Sequence, residues 1–124
     1  MALSVLIVDD SSAIRKILHR VLSQAELDIS PIHEASDGKE ALTMLRTQSV
    51  GLVLSDINMP NMDGLEMLRE LRADAALKSI PVLMITTEGS QDKVMQAVSL
   101  GANGYIRKPF TSEQIKEQIT VVLK

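Results

Sequence analysis

Short apolar runs of this chain end in residues that can do chemistry. Ser4–Val8 runs into the carboxylates Asp9 and Asp10, and Leu52–Ser55 runs into Asp56. Pro81–Thr86 ends on a hydroxyl, Thr86, with Thr87 next, and Gly104–Arg107 leads into Lys108 and Pro109. If the runs lie side by side, three carboxylates converge. Carboxylates that close repel, raise one another's pKa and weaken a fold until a cation joins them. Such oxygen donors suit a hard ion such as Mg²⁺, which takes a few protein ligands and keeps several waters. Lys108 supplies a second positive charge, able to pair with a carboxylate and then with a phosphoryl oxygen, and Thr86 adds a hydroxyl donor. A carboxylate nucleophile, a metal and a positive clamp are what phosphoryl transfer onto an aspartate requires. The product would add roughly −2 of charge and three acceptor oxygens.

The segments between these runs explain how the groups could be positioned. The runs at Ser4–Val8, Leu52–Ser55, Pro81–Thr86 and Gly104–Arg107, with a weaker one at Ile32–Ala35, have the continuous apolar character of strands buried on both faces. Helical spacing separates them. Ile14, Ile17, Leu18, Val21 and Leu22 share one face, with Ser11 or Ser12 as the cap. Ala41, Leu42 and Leu45 mark a second helix, and Leu65, Leu68 and Leu71 a third that starts at Gly64. Val94, Ala97 and Val98 mark a fourth. Ile115, Ile119 and Val122 mark a fifth, capped by Thr111 or Ser112 with Glu113 in its first turn. This (βα)₅ alternation predicts an α/β domain with a parallel sheet covered on both faces. Ligands of such sheets bind at the carboxyl ends of the strands, where the chemical residues fall.

Composition bounds the reading. The 124 residues suit one domain spanning 1–124. With one Phe, one Tyr and no Trp, the core must be built from aliphatic side chains. Thirteen basic and sixteen acidic residues give a net charge of −3 without a basic run, which argues against nucleic acid as a partner. No apolar run approaches the ~20 residues of a spanning helix, and MALSVLIVDD lacks the basic start of a signal peptide. A cytoplasmic location follows as the simplest expectation. The absence of cysteine excludes disulfides and thiolate metal sites.

Asp9-Asp10, Asp56, Thr86 and Lys108-Pro109, in that order and spacing, resemble the response-regulator receiver family over the whole chain. DINMPNMDGLEML at 56–68, PVLMITTE at 81–88 and GANGYIRKPF at 101–110 are closest to its single-domain chemotaxis members. The resemblance implies a doubly wound, flavodoxin-like (βα)₅ fold with strand order 2-1-3-4-5, an order the apolar pattern does not fix. It implies Asp56 as phosphoacceptor. Mg²⁺ would be held by Asp10, Asp56 and the Asn58 main-chain carbonyl, with Asp9 acting through a metal-bound water. Lys108 would bridge to the phosphoryl group, across a cis bond to Pro109. Thr86 and Tyr105 would be the switch pair: Thr86 bonds the phosphoryl group, Tyr105 turns inward, and the face of the fourth helix, fifth strand and fifth helix is reshaped. Asn58 and Glu88 stand where the family tunes the lifetime of its phosphoryl group, and here they favour a short signal. The implied donor is a histidine kinase of the chemotaxis type, or a small phosphodonor. The implied output partner is a flagellar-motor switch protein, with a phosphatase as a further partner and the protein itself a monomer. Ile57, Gln91 and Gln118 depart from the enteric chemotaxis pattern, the last two at positions belonging to its motor-binding and kinase-binding surface.

Each feature also has a plainer reading. Asp9-Asp10 alone could be a helix cap, Lys108 a solvated charge and Thr86-Thr87 a turn. NMPNMDG at 58–64 could be only a tight loop, with Met59 and Met62 packing. Glu34, Asp37 and Glu40 read as a solvated acidic face, and His19 and His33 as isolated residues without companion ligands. Tyr105 could simply fill the core edge. Among functions, the chain's ending at Lys124 favours a stand-alone switch, not an enzyme with turnover, whose output is protein binding. A phosphorelay carrier that passes its phosphoryl group to a histidine phosphotransfer protein is the alternative. A haloacid-dehalogenase-type phosphatase would need a second acid where Asn58 stands. A flavin-binding protein would need a hydroxyl- and glycine-rich loop where Asp9-Asp10 stands. P-loop and dinucleotide fingerprints are absent.

Overall fold

The computed structural model describes residues 3–25, 27–87 and 91–123. Strands and helices alternate along the chain: β1 Leu3–Val8, α1 Ser12–Gln24, β2 Ile29–Ala35, α2 Gly38–Thr47, β3 Leu52–Ser55, α3 Gly64–Ala73, β4 Val82–Thr86, α4 Gln91–Ser99, β5 Gly104–Arg107 and α5 Ser112–Val122. The strands form one parallel sheet in the order β2-β1-β3-β4-β5, the doubly wound, flavodoxin-like arrangement. The expected strands are all present. The weak run at Ile32–Ala35 begins earlier, at Ile29, and the run expected from Pro81 begins at Val82.

Strand alternation divides the core in two. Val5, Ile7, Leu52, Leu54, Leu83, Ile85 and Ile106 point to the face covered by α1 and α5, where Leu18, Leu22, Ile115 and Ile119 meet them. Leu6, Val8, Val53, Val82 and Met84 point to the opposite face, packed by side chains of α2, α3 and α4. Burying strand residues on both faces at roughly 1.5–3 kcal/mol per large aliphatic side chain is what lets a chain with two large aromatic residues hold this sheet.

The helix starts are specified locally. Ser11 accepts from the Ile14 amide and Asp63 from the Glu66 amide. Thr111 and Gln114 satisfy each other's amides in a capping box. The fourth helix corrects its expected pattern. Ala97 is buried, but Val94 is only half-buried, and Val98 and Met95 are 59% and 57% exposed. This helix touches the core through one small residue and turns its larger apolar side chains outward.

The order β2-β1-β3 has one consequence for the site. The chain leaves β1 towards one edge to make β2, then returns across to make β3. The reversal lies between β1 and β3, and the crevice at their carboxyl ends is where ligands of such sheets sit. The register places Val8 beside Ser55, so Asp9 and Asp56, each the next residue, emerge together.

Candidate functional site

The carboxylates of Asp9, Asp10 and Asp56 meet at this crevice, with one oxygen of each within 4.8 Å of the others. Asp9 and Asp56 are buried and Asp10 is exposed. Lys108 reaches in from the end of β5. Its ammonium donates to Asp9 Oδ2 at 2.8 Å and to Asp56 Oδ2 at 3.2 Å. The remaining oxygens of the two buried acids are held by the main chain: Asp9 Oδ1 accepts from the Ser11 amide at 2.9 Å, and Asp56 Oδ1 from the Ile57 amide at 2.7 Å.

The electrostatics follow from burial and from this uneven count of charges. Burial raises the pKa of Asp9, against the opposing pull of its bonds to Lys108 and Ser11. Burial works against the charge on Lys108 too, but the hydrogen bond to Asp9 and the attraction of Asp56 and Asp9 outweigh it, so its pKa rises. The ammonium stays charged at neutral pH. Three carboxylates against one ammonium leave two negative charges uncompensated, in a cluster of oxygen donors facing partly into solvent. That donor set fits a hard divalent cation, and Asp9, Asp10 and Asp56 could hold one.

The other residues singled out in the sequence stand around this pocket. Thr86 is fully buried at the end of β4, and its carbonyl accepts from the Lys108 amide at 2.8 Å. The backbone of Lys108 is thus joined to the hydroxyl-bearing end of β4 by one hydrogen bond. The Lys108–Pro109 bond is cis. Asn58 is exposed, two residues beyond Asp56. Tyr105 is not in the pocket. It pairs with Met84 in the sheet register and lies half-buried against the core on the α2–α4 side. Glu88 lies outside the described residues. One flank of the pocket opens onto an apolar recess lined by Ile14, Ile17, Thr87, Lys108, Pro109 and Phe110.

Two groups were missed by reading the sequence. Arg15 donates to the main-chain carbonyl of Asp9 and pairs with Glu34 at 2.9 Å, tying α1 and β2 to the base of the pocket. A lone arginine on a helix face carries no signal for this. Asp37, expected on a solvated acidic face, is instead buried. It caps α2 through the Glu40 amide at 2.8 Å and accepts from Asn61 Nδ2 at 2.8 Å. These bonds, from Glu40 first and Asn61 second, hold its pKa down. Here a signal existed: Asp37 with Glu40 three residues on is a helix-start pattern. Met62 is buried and Met59 packs on the core, in line with a packing role. His19 is exposed and its ring lies near the Ser23 hydroxyl, and His33 is half-buried in β2.

Comparison with known proteins agrees with this geometry. Residues 5–120 match the model of the response regulator receiver domain. The chemotaxis protein CheY of Pseudomonas aeruginosa is 41% identical over 122 residues, covering 98% of this chain and 97% of that protein. CheY-3 of Vibrio cholerae is also 41% identical, over 98% of this chain and 92% of its own length. Among solved structures, V. cholerae chemotaxis protein CheY4 superposes with a TM-score of 0.89 at 34% identity, covering 98% of this chain and 99% of that one. A pocket of three carboxylates and a lysine at the β1–β3 switch point, on a β2-β1-β3-β4-β5 sheet, places this chain in the response regulator receiver family of two-component signalling.

Proposed function

We propose that this receiver accepts a phosphoryl group on Asp56 from a histidine kinase in a Mg²⁺-dependent reaction, and that its output is phosphorylation-dependent protein binding in chemotaxis. The observation that carries the reading is the position of Lys108, whose ammonium spans Asp9 Oδ2 and Asp56 Oδ2 inside the carboxylate cluster. Asp56 Oδ2, the oxygen facing that ammonium, is the atom suited to attack phosphorus. Lys108 then has two roles in the same place. It balances the buried acids at rest, and it offers a cation to the phosphoryl oxygens once Asp56 is modified. Asp10, Asp56 and the Asn58 carbonyl are assigned as direct ligands of Mg²⁺, with Asp9 acting through a water. The ion, when bound, would offset the charge of the phosphoryl oxygens. Thr86 is assigned to the phosphoryl oxygens and Tyr105 to the switch that follows. The names of the relatives support the chemotaxis assignment, with a flagellar-motor component as the output partner.

The test is to incubate the purified chain with acetyl phosphate, with and without Mg²⁺, and locate any adduct by intact and peptide mass spectrometry. A labile adduct on Asp56 that requires Mg²⁺ and disappears in Asp56→Asn is the expected result. An adduct on another residue, or one indifferent to Mg²⁺, would overturn the assignment.

A further inference from the structure

The loop that follows Asp56 is clasped by a second loop with no part in the carboxylate cluster. At its base, Asp56 Oδ1 accepts from the Ile57 amide and the Gly64 amide donates to the Ile57 carbonyl at 2.7 Å. A Cβ on Gly64 would lie 2.0 Å from the Asp56 carbonyl oxygen, so the loop closes as tightly as backbone permits. At its far side, Asn61 adopts a left-handed conformation (φ 66°), which aims its side chain at Asp37 in the β2–α2 loop. The adjacent Gly38 amide donates to the Met62 carbonyl at 3.0 Å. Here too a side chain has no room: a Cβ on Gly38 would lie 2.7 Å from Met62 Cγ.

Asp37 divides its two oxygens between two tasks. Oδ1 caps α2 and Oδ2 holds Asn61. A helix cap needs one acceptor, and serine or threonine would provide it. The second oxygen, on a carboxylate that is only 9% exposed, accepts from Asn61 of the loop. The residues so pinned, Asn61 and Met62, lie three and four positions beyond Asn58. We infer that Asp37 is a positioning residue for phosphorylation: through Asn61 it fixes the β3–α3 loop, and with it the Asn58 carbonyl assigned to Mg²⁺. This rests on the proposed function above and adds to it a group outside the acidic pocket. Partners of this kind, which orient a ligand without touching the ion, typically cost about 10–100-fold in metal affinity when removed.

Two variants and the unmodified chain test it by titration calorimetry with Mg²⁺ after EDTA stripping, alongside urea unfolding of the metal-free proteins. Asn61→Gly tolerates the left-handed conformation and removes the amide. The double variant Asp37→Asn with Asn61→Asp exchanges donor and acceptor while keeping the bond, the cap and the net charge. The expected result is Mg²⁺ binding about tenfold weaker in Asn61→Gly and restored in the double variant. Asn61→Gly binding Mg²⁺ like the unmodified chain, with only its urea midpoint lowered, would overturn the inference and leave Asp37 as a helix cap. A double variant as weak as Asn61→Gly would overturn it as well, since the hydrogen bond would then not be the cause. Failure of the unmodified chain to bind Mg²⁺ would remove the metal assignment itself, and this outcome is distinct from either of the others.

Discussion

Replacing Asp10 by Asn should make the metal-free protein more stable and nearly blind to Mg²⁺. Asp10 is exposed and faces two other carboxylates, with ligand oxygens of all three no more than 4.8 Å apart. At that distance each repulsion is worth about 1 kcal/mol in bulk water and about 3.5 kcal/mol at the effective dielectric of a protein surface. Because Asp10 is solvated, its share lies near the lower figure. Lys108, already engaged by Asp9 and Asp56, offsets part of it. One uncompensated repulsion remains, and its removal should stabilise the fold by about 1–2 kcal/mol, or some 4 °C in melting temperature per kcal/mol for a chain of this size.

Mg²⁺ reverses the comparison. A ligand present at a hundred times its dissociation constant stabilises the folded state by about 2.7 kcal/mol, and one bound a hundredfold more weakly by only about 0.4 kcal/mol. The unmodified chain should therefore overtake Asp10→Asn once Mg²⁺ is added. Urea unfolding in EDTA and in Mg²⁺, at pH 7 and constant ionic strength, reads both halves. If Asp10→Asn were the less stable protein in EDTA, the repulsion argument would fail. Equal gains from Mg²⁺ in the two proteins would remove Asp10 from the ligand set.

Lys108→Met should act in the opposite sense. Stranding the two acids beside it should cost about 2–4 kcal/mol at pH 7 without metal, within the range for breaking a buried pair. The cost is capped by the free energy of protonating one carboxylate, about 4 kcal/mol at pH 7 for an ordinary aspartate. It should shrink as pH falls, because burial raises the pKa of Asp9 and a protonated acid is no longer stranded. On the alkaline side the pKa of Lys108 is raised above 10.5, so the stabilisation its charge provides at neutral pH is lost as pH rises through the raised value. A loss independent of pH between 4 and 7 in urea unfolding would contradict this account. Gly64→Ala should cost about 3 kcal/mol, the upper end for overpacking, because its Cβ would press on the Asp56 carbonyl oxygen; an unchanged melting temperature would show that the loop relaxes freely.

Much of this fold could be read from the sequence because its strands are buried on both faces and interrupted by polar residues only at their ends. Asp9, Asp56, Thr86 and Lys108 were visible as chemistry for that reason. The same uniform burial hides the strand order. A strand that is apolar on both sides says nothing about which neighbour lies beside it, and β2-β1-β3 was anticipated only through the family resemblance. Periodicity failed at α4 in a different way. Val94, Ala97 and Val98 have core spacing, but an apolar stripe looks the same whether it meets a core or faces outward, and here Val98 and Met95 face outward. Asp37 was misread because its charge argued for solvent. Only the positive φ of Asn61 and the paired loops reveal what its second oxygen does.

The charges gathered in the pocket are ones the metal-free fold would be more stable without. β1 and β3 are almost fully buried up to Val8 and Ser55, and the carboxylates begin at the next residue on each strand. The electrostatic cost is therefore confined to the strand ends and leaves the ladder intact. It is also reversible, because any cation that reaches the pocket offsets it and stabilises the folded state in doing so. Under the proposed function, converting the Asp56 carboxylate to an acyl phosphate would raise the negative charge again, to roughly −2 at that residue, and would compete with Asp9 for Lys108. The Lys108 amide is bonded to the Thr86 carbonyl, so the backbone that carries this lysine is tied to the end of β4. Such a change of charge would fall beside the strand that leads into α4, the helix whose larger apolar side chains are turned outward.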